Sequence, residues 1–326
     1  MTWGHRLLAL SALSLTSGPV TLQTEYEVDQ EVRFESESNM SMELGECTIK
    51  INGQELPPEL QEQFVGELGE LAESGQERIA IVNTFLELDE GEPIKVRRTY
   101  ETAREEGRSG EGTTENVSDL EGRTLLLHWD GEEVVAEADD EGEELDEAFL
   151  IGHILRLDYD YMLPDGEVEV GDSWELDKEA MFGAFEFAEL FEAESESEEA
   201  MTKALIDSME DPMKVTFEAI RSDGDEEIAV LRYEFEFKGA LEDAAAMLEV
   251  DDEGFEANAD FDFQVNGELL FDMSSSRGLR DTWEMKGILD FDLQGSEEAE
   301  GMEFLLDMDV RLEMVVSTVE EWTFDE

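Results

Sequence analysis

Between Met302 and Val316 every even-numbered residue is apolar: Met302, Phe304, Leu306, Met308, Val310, Leu312, Met314 and Val316. The odd positions include Glu303, Asp307, Asp309, Arg311 and Glu313. Successive side chains of a strand point to opposite faces, so this period-2 pattern predicts one strand with a buried face and an acid-coated face. At about 3.3 Å per residue the run spans roughly 50 Å, far beyond an average strand. Strands that long belong to strongly curved or coiled sheets.

The same alternation recurs upstream. Trp283, Met285, Gly287, Leu289, Phe291 and Leu293 alternate with Glu284, Lys286, Asp290 and Asp292. Phe261, Phe263 and Val265 precede Asn266-Gly267, and Leu269, Phe271 and Met273 follow it. That dipeptide reads as a hairpin turn or as a bulge within one strand. Ser274 to Gly278 reads as the next turn. Ile228 and Val230 change phase to Tyr233, Phe235 and Phe237, which predicts a bulge near Leu231-Arg232. In the front half, Leu22, Tyr26, Val28, Val32 and Phe34 share parity, as do Met40, Met42 and Leu44. Further strands are expected at Ile79–Leu88, Ile94–Tyr100, Arg123–Trp129 and Glu132–Ala138. The acidic, glycine-containing stretches 105–113 and 139–144 read as solvated loops.

Helical patterns are few. Residues 58–73 place Leu60, Phe64, Leu68 and Leu71 on one face after a proline start. Others are expected at 144–156, 178–210 and 240–248. The acidic run Glu192–Glu199 interrupts the third of these, so 178–211 reads as a helical or mobile insertion. Strands, two helical patches and then a meander define the expected fold class: mainly β (α+β). The expected architecture is a curved antiparallel half-barrel sheet with a few helices packed on its inner face. No proline- or serine-rich linker divides the chain, so residues 23–326 read as a single domain.

Residues 1–22 read as a secretory signal peptide. Arg6 and the amino terminus form a short positive region, and Leu7–Leu15 is an apolar core too short to span a bilayer. Ser14, Ser17 and Gly18 permit cleavage near the end of the segment, without a clean A-x-A site. No later segment reads as a transmembrane anchor. The expected location is therefore exported, periplasmic or extracellular.

Charge narrows the partners. With 89 acidic and 21 basic residues the formal charge is −68. Such a surface repels nucleic acid and anionic membranes, so no nucleic-acid partner is expected. The acid is interleaved with apolar residues rather than gathered in a tail, and it reads as a halophilic-type surface that salt keeps soluble. Cation binding is the competing reading.

No catalytic residue is assigned. Cys47 is the only cysteine, which excludes an intrachain disulfide, and nothing ties it to His128 or His153. Asp172-Ser173 reads as a structural turn, and neither a G-x-S-x-G elbow nor a phosphate-binding loop occurs. With so many acids, close carboxylate pairs carry no information. No metal or cofactor residue is assigned either: Glu249 to Asp260 departs from a calcium loop at two ligand positions and lacks its final glutamate. Asp139–Glu147 has carboxylates without ligand spacing.

The stretch Asp158–Leu176 contains Leu163-Pro164 and, at Val168–Trp174, VEVGDSW. It resembles a recurrent feature of uncharacterised exported bacterial proteins, which are themselves similar to periplasmic lipoprotein carriers of the LolA/LppX type. The resemblance implies a half-barrel sheet wrapped around helices and no established catalytic residues. Its inner face would be lined by Met308, Met314, Phe263, Phe291, Trp283 and Met285, which suit a filled core or an adaptable lipid pocket. The expected function is a non-enzymatic extracytoplasmic protein that binds or carries a lipid or other apolar ligand. The alternatives are an envelope-associated interaction protein using its acidic surface, and an unrecognised hydrolase. Oligomeric state is left open.

Overall fold

The computed structural model describes residues 18–57, 59–60, 74–109, 112–139, 145–157, 160–176, 212–223, 226–242, 255–299 and 302–324. Fifteen strands occur there: β1 (Val20–Thr21), β2 (Glu31–Ile51), β3 (Gln54–Glu55), β4 (Ser74–Asp89), β5 (Glu92–Ser109), β6 (Gly112–Val117), β7 (Thr124–Trp129) and β8 (Val134–Ala138). They continue with β9 (Glu167–Val168), β10 (Ser173–Glu175), β11 (Lys214–Asp223), β12 (Glu226–Glu242), β13 (Phe255–Asp272), β14 (Arg277–Ala299) and β15 (Met302–Phe324).

Every pairing is antiparallel, and one open sheet of 13 strands runs in the order β10-β11-β12-β13-β14-β15-β2-β4-β5-β7-β8, with β3 on β2 and β6 on β5. β1 and β9 form a separate pair. Both ends of the order, β10 and β8, are short strands of 3 and 5 residues.

The alternation at the C-terminus becomes β15, 23 residues long. Its even residues Val310, Leu312 and Trp322 are buried, and Glu313 and Glu321 point outward. The same apolar face continues through Phe34 on β2, Ile81 on β4, Leu125 and Leu127 on β7, and Phe261, Phe263 and Phe271 on β13. Bulges keep it continuous along such long strands. On β2, Gly45 and Glu46 stand opposite Arg311 alone, which returns Cys47 and Ile49 to the apolar side. On β5, Glu101 is the extra residue, so Ala103 follows Tyr100 onto that side. Each extra residue reverses the parity and adds local twist.

Several expectations need correction. Asn266-Gly267 is neither a turn nor a bulge, since β13 runs through it with Asn266 opposite Glu234 and Gly267 opposite Tyr233. The glycine serves a side chain instead: a Cβ there would lie 2.0 Å from the Tyr233 ring. The bulge expected near Leu231-Arg232 sits on the neighbouring strand, where Glu218 of β11 is the extra residue. Residues 105–109 and 112–113 belong to the β5–β6 hairpin rather than to a loop. Of the stretch 139–144, only Asp139 is described.

The helices expected on the inner face are not among the described elements. Where a helix is expected over 144–156, the described residues 145–156 hold a 3-10 turn at Glu147–Leu150 and then irregular chain, with Gly152 at φ 70° ending any helical continuation. Ala240–Glu242 extends β12, its backbone paired with Asn258–Asp260. The 58–73 helix, apart from Glu59 and Leu60, and the whole 178–211 insertion lie outside the described residues, as do residues 1–17. Among the described residues no helix is long and apolar enough to cross a membrane.

Candidate functional site

The apolar face of the sheet is the dominant chemical feature. Phe263 and Phe291 are 5% and 4% exposed, and Trp283, Met285, Met308 and Met314 pack, half-buried, against the core to which they belong. All six residues expected on this face lie on it. Met42 of β2 is opposite Met314, and Met285 of β14 is opposite Val316, which is itself opposite Met40. These methionines form a half-buried band across three adjacent strands. Thioether side chains have flexible, polarizable contacts and adapt to irregular apolar partners.

A glycine notch shapes the band. A Cβ on Gly287 would lie 1.9 Å from Cδ1 of Phe263, so the ring rests directly on the backbone of the next strand. Here the absence of a side chain, rather than an unusual φ, is what the site requires.

Buried polar groups interrupt the apolar face, and Arg98 and the pair of Asp281 and Glu320 are charged ones among them. On β5, Arg98 is 1% exposed. Its Nε donates to Asn83 Oδ1 at 2.9 Å, directly across the β4–β5 ladder, and Nη2 donates to the Ile154 carbonyl at 2.8 Å. Next on the strand, Tyr100 is wholly buried, and its hydroxyl lies 3.3 Å from His153 Nδ1. His153 Nε2 is 3.0 Å from the Phe149 carbonyl. Burial, reinforced by the Arg98 charge, pulls the His153 pKa down to about 4, so the ring is neutral at neutral pH. Burial also lowers Arg98, but a guanidinium starts so high that it remains a cation.

The second group is acidic. Asp281 of β14 is wholly buried, accepts the Tyr233 hydroxyl at 2.6 Å and stands opposite Glu320 of β15, which is 9% exposed. Burial first, then Asp281, raises the Tyr233 pKa well above its usual value, so this phenol stays a donor.

Residues 145–157 and 160–176 lie against the face at the Arg98 end. Besides the bonds from Ile154 and His153, the Leu157 carbonyl accepts Trp322 Nε1 at 2.7 Å. Met162 accepts Trp174 Nε1 at 2.8 Å, and the Asp160 carboxylate takes Tyr26 and Arg156. The turn expected at Asp172-Ser173 lies just before it, at Val170-Gly171 with Gly171 at φ 100°; Asp172 caps it by accepting the Glu169 N–H, and Ser173 already begins β10. Under this cover sits a cavity of about 30 Å³ bordered by Gln30, Asn83, Phe34, Phe85, Trp322 and Phe324. That is room for about one water.

The remaining chemical candidates stay apart. Cys47 is on β2 opposite Val310, whereas His128 is on β7 opposite Lys95, and His153 bonds to Tyr100. Of the calcium-loop stretch, residues through Gly254 lie outside the described residues, and Asp260 is an exposed ladder position. On the outer face Asp292, Asp307 and Asp309 come within ligand distance of one another. Lys50 already pairs with two of them, at 3.3 Å to Asp307 and 3.5 Å to Asp309.

Sequence reasoning did not single out Arg98, Asp281 or Glu320. The signal was available: Arg98 shares parity with Val96 and Tyr100, Asp281 with Trp283, and Glu320 with Trp322. A charge on the apolar parity of a strand is a candidate buried charge. No protein-family model matches this chain, and no curated protein matches it.

Proposed function

We propose that this chain is an exported, non-enzymatic binding or carrier protein that takes up an apolar ligand, such as a lipid, on the apolar face of its open sheet. The observation that carries this reading is the half-buried methionine band formed by Met40, Met42, Met285 and Met314. Apolar surface is ordinarily packed away, and burying a single such side chain is worth roughly 1.5–3 kcal/mol. A band left half-covered across three strands can gain that stabilisation from a bound acyl chain. The resemblance of Val168–Trp174 to exported proteins similar to lipoprotein carriers of the LolA/LppX type points the same way, with the sheet as a half-barrel. The Leu7–Leu15 run supports export.

Binding of a fluorescent fatty acid to delipidated protein tests the reading. Saturable binding, weakened several-fold when Met42 and Met314 are both changed to Gln, is expected. An unaltered probe spectrum at saturating protein would refute it.

A further inference from the structure

The edges of the sheet differ in what stands beside them. β10 has only 3 residues, and the 3-10 turn at Glu147–Leu150 lies next to β8. Beyond Glu234, where its pairing with β11 stops, β12 carries the exposed Lys238, an edge lysine of the kind that discourages strand addition. β6 has no such guard. Its 6 residues pair with β5, from Gly112 opposite Ser109 to Val117 opposite Arg104, and among the described residues nothing pairs with its other side. All of them are exposed, Val117 at 46%. The strand holds no proline or lysine, and its one charge is Glu115. Such an edge presents a row of backbone N–H and C=O groups that another extended chain can bond.

The charges beside the edge select the chain. Glu115 stands directly opposite Glu106 of β5, and like charges facing each other across a ladder destabilise it. Glu106 is neutralised by Arg108, whose Nε donates to it at 2.8 Å. Glu115 receives only a 3.5 Å contact from Arg104, whose short bonds, 2.5 and 2.7 Å, go to Glu121. On the other face of the hairpin Asn116 is opposite Glu105, which is opposite Glu77 of β4. Burial first, and then the Glu105 charge, raises the Glu77 pKa. A lysine or arginine in the next strand outward, level with Glu115, would lie about 5 Å from it and offset the repulsion.

We infer that β6 is a docking edge for an extended basic segment of a partner protein, which adds to the sheet as a strand with a lysine or arginine level with Glu115. Backbone bonds hold the segment, and the acidic hairpin on a chain of charge −68 selects a cationic sequence. This surface is distinct from the apolar face and does not depend on the carrier reading.

The probe is a synthetic peptide of about eight alternating threonine and lysine residues, and its control has the same charge but is N-methylated at every residue. The parent peptide is expected to bind the full-length chain at least about tenfold more tightly than the control, with a Kd that rises as salt is added. Hydrogen exchange in residues 112–117 is expected to slow on binding. Glu115→Lys, at an exposed position, is expected to weaken binding several-fold. The wild-type comparison of the two peptides decides the question without any variant. Equal affinities reduce the interaction to bulk charge attraction and overturn the docking edge, as does protection confined to other strands or no binding at all. Unchanged affinity in Glu115→Lys overturns the assignment of a basic partner. A dimer in sedimentation without peptide, with residues 112–117 already protected, gives the edge to a second copy and overturns it too.

Discussion

At the scale of single residues, the apolar face is specified as much by what it excludes as by what it buries. His153 stays neutral because burial and the Arg98 charge hold its pKa near 4, against an ordinary 6.5. The unfolded chain therefore binds the proton first. The stability that neutral His153 provides is complete above pH 6.5 and is lost as pH falls toward 4, by up to about 3 kcal/mol. Urea denaturation at pH 7 and pH 5 is expected to show a larger loss for the wild type than for His153→Gln. Equal losses would mean that the ring is not shielded. Gly287 offers a second test, because any Cβ there meets the Phe263 ring at 1.9 Å. Gly287→Ala should cost about 2–3 kcal/mol, with much of that cost removed in a Phe263→Leu background. An equal cost in both backgrounds would show that the ring is not the obstacle.

At the scale of elements, β15, β14, β13 and β4 were legible because a half-buried strand writes its two faces into alternate residues. Where the ladder was misread, one local signal had two causes. Asn266-Gly267 carries turn chemistry, yet the glycine is there so that Tyr233 can lie across it. The phase change in β12 is visible in the sequence, but the extra residue that absorbs it is Glu218 of the partner strand, which no single-strand pattern can reveal. Leu145, Phe149 and Gly152 mimic helical spacing in a segment that becomes irregular, because its carbonyls are spent on Arg98, His153 and Trp322 rather than on its own N–H groups. The entry of the chain into the sheet carries its own prediction. Val20 and Thr21 pair with Val168 and Glu167, and Leu22 is 1% exposed in the core. If the N-terminal segment is the signal peptide proposed above, its cleavage should fall before Val20, in keeping with the small residues Ser17 and Gly18. Intact-mass analysis of the mature protein checks this, and a terminus at residue 21 or later would contradict it.

At the scale of the whole molecule, the charge and the apolar face divide the sheet between them. Strand after strand sends carboxylates outward, and the −68 total keeps copies apart while salt screens their repulsion. That outer face does not present an open cation site at Asp292, Asp307 and Asp309, since Lys50 already pairs with two of them. The inward half carries the functional argument: an apolar surface on an open sheet, with one buried cation and one buried acidic pair set into it. Its extent was readable from period-2 alternation. Its two charged inclusions were not recognised, because Arg98, Asp281 and Glu320 look like ordinary surface residues until the parity of their strands is counted. Native mass spectrometry of the protein, purified without detergent and compared before and after solvent extraction, shows whether the face holds an apolar ligand. One apolar molecule per chain, lost on extraction and restored by incubation with lipid, is the expected result. A chain that keeps its bare mass in both preparations, and still does after that incubation, would contradict it.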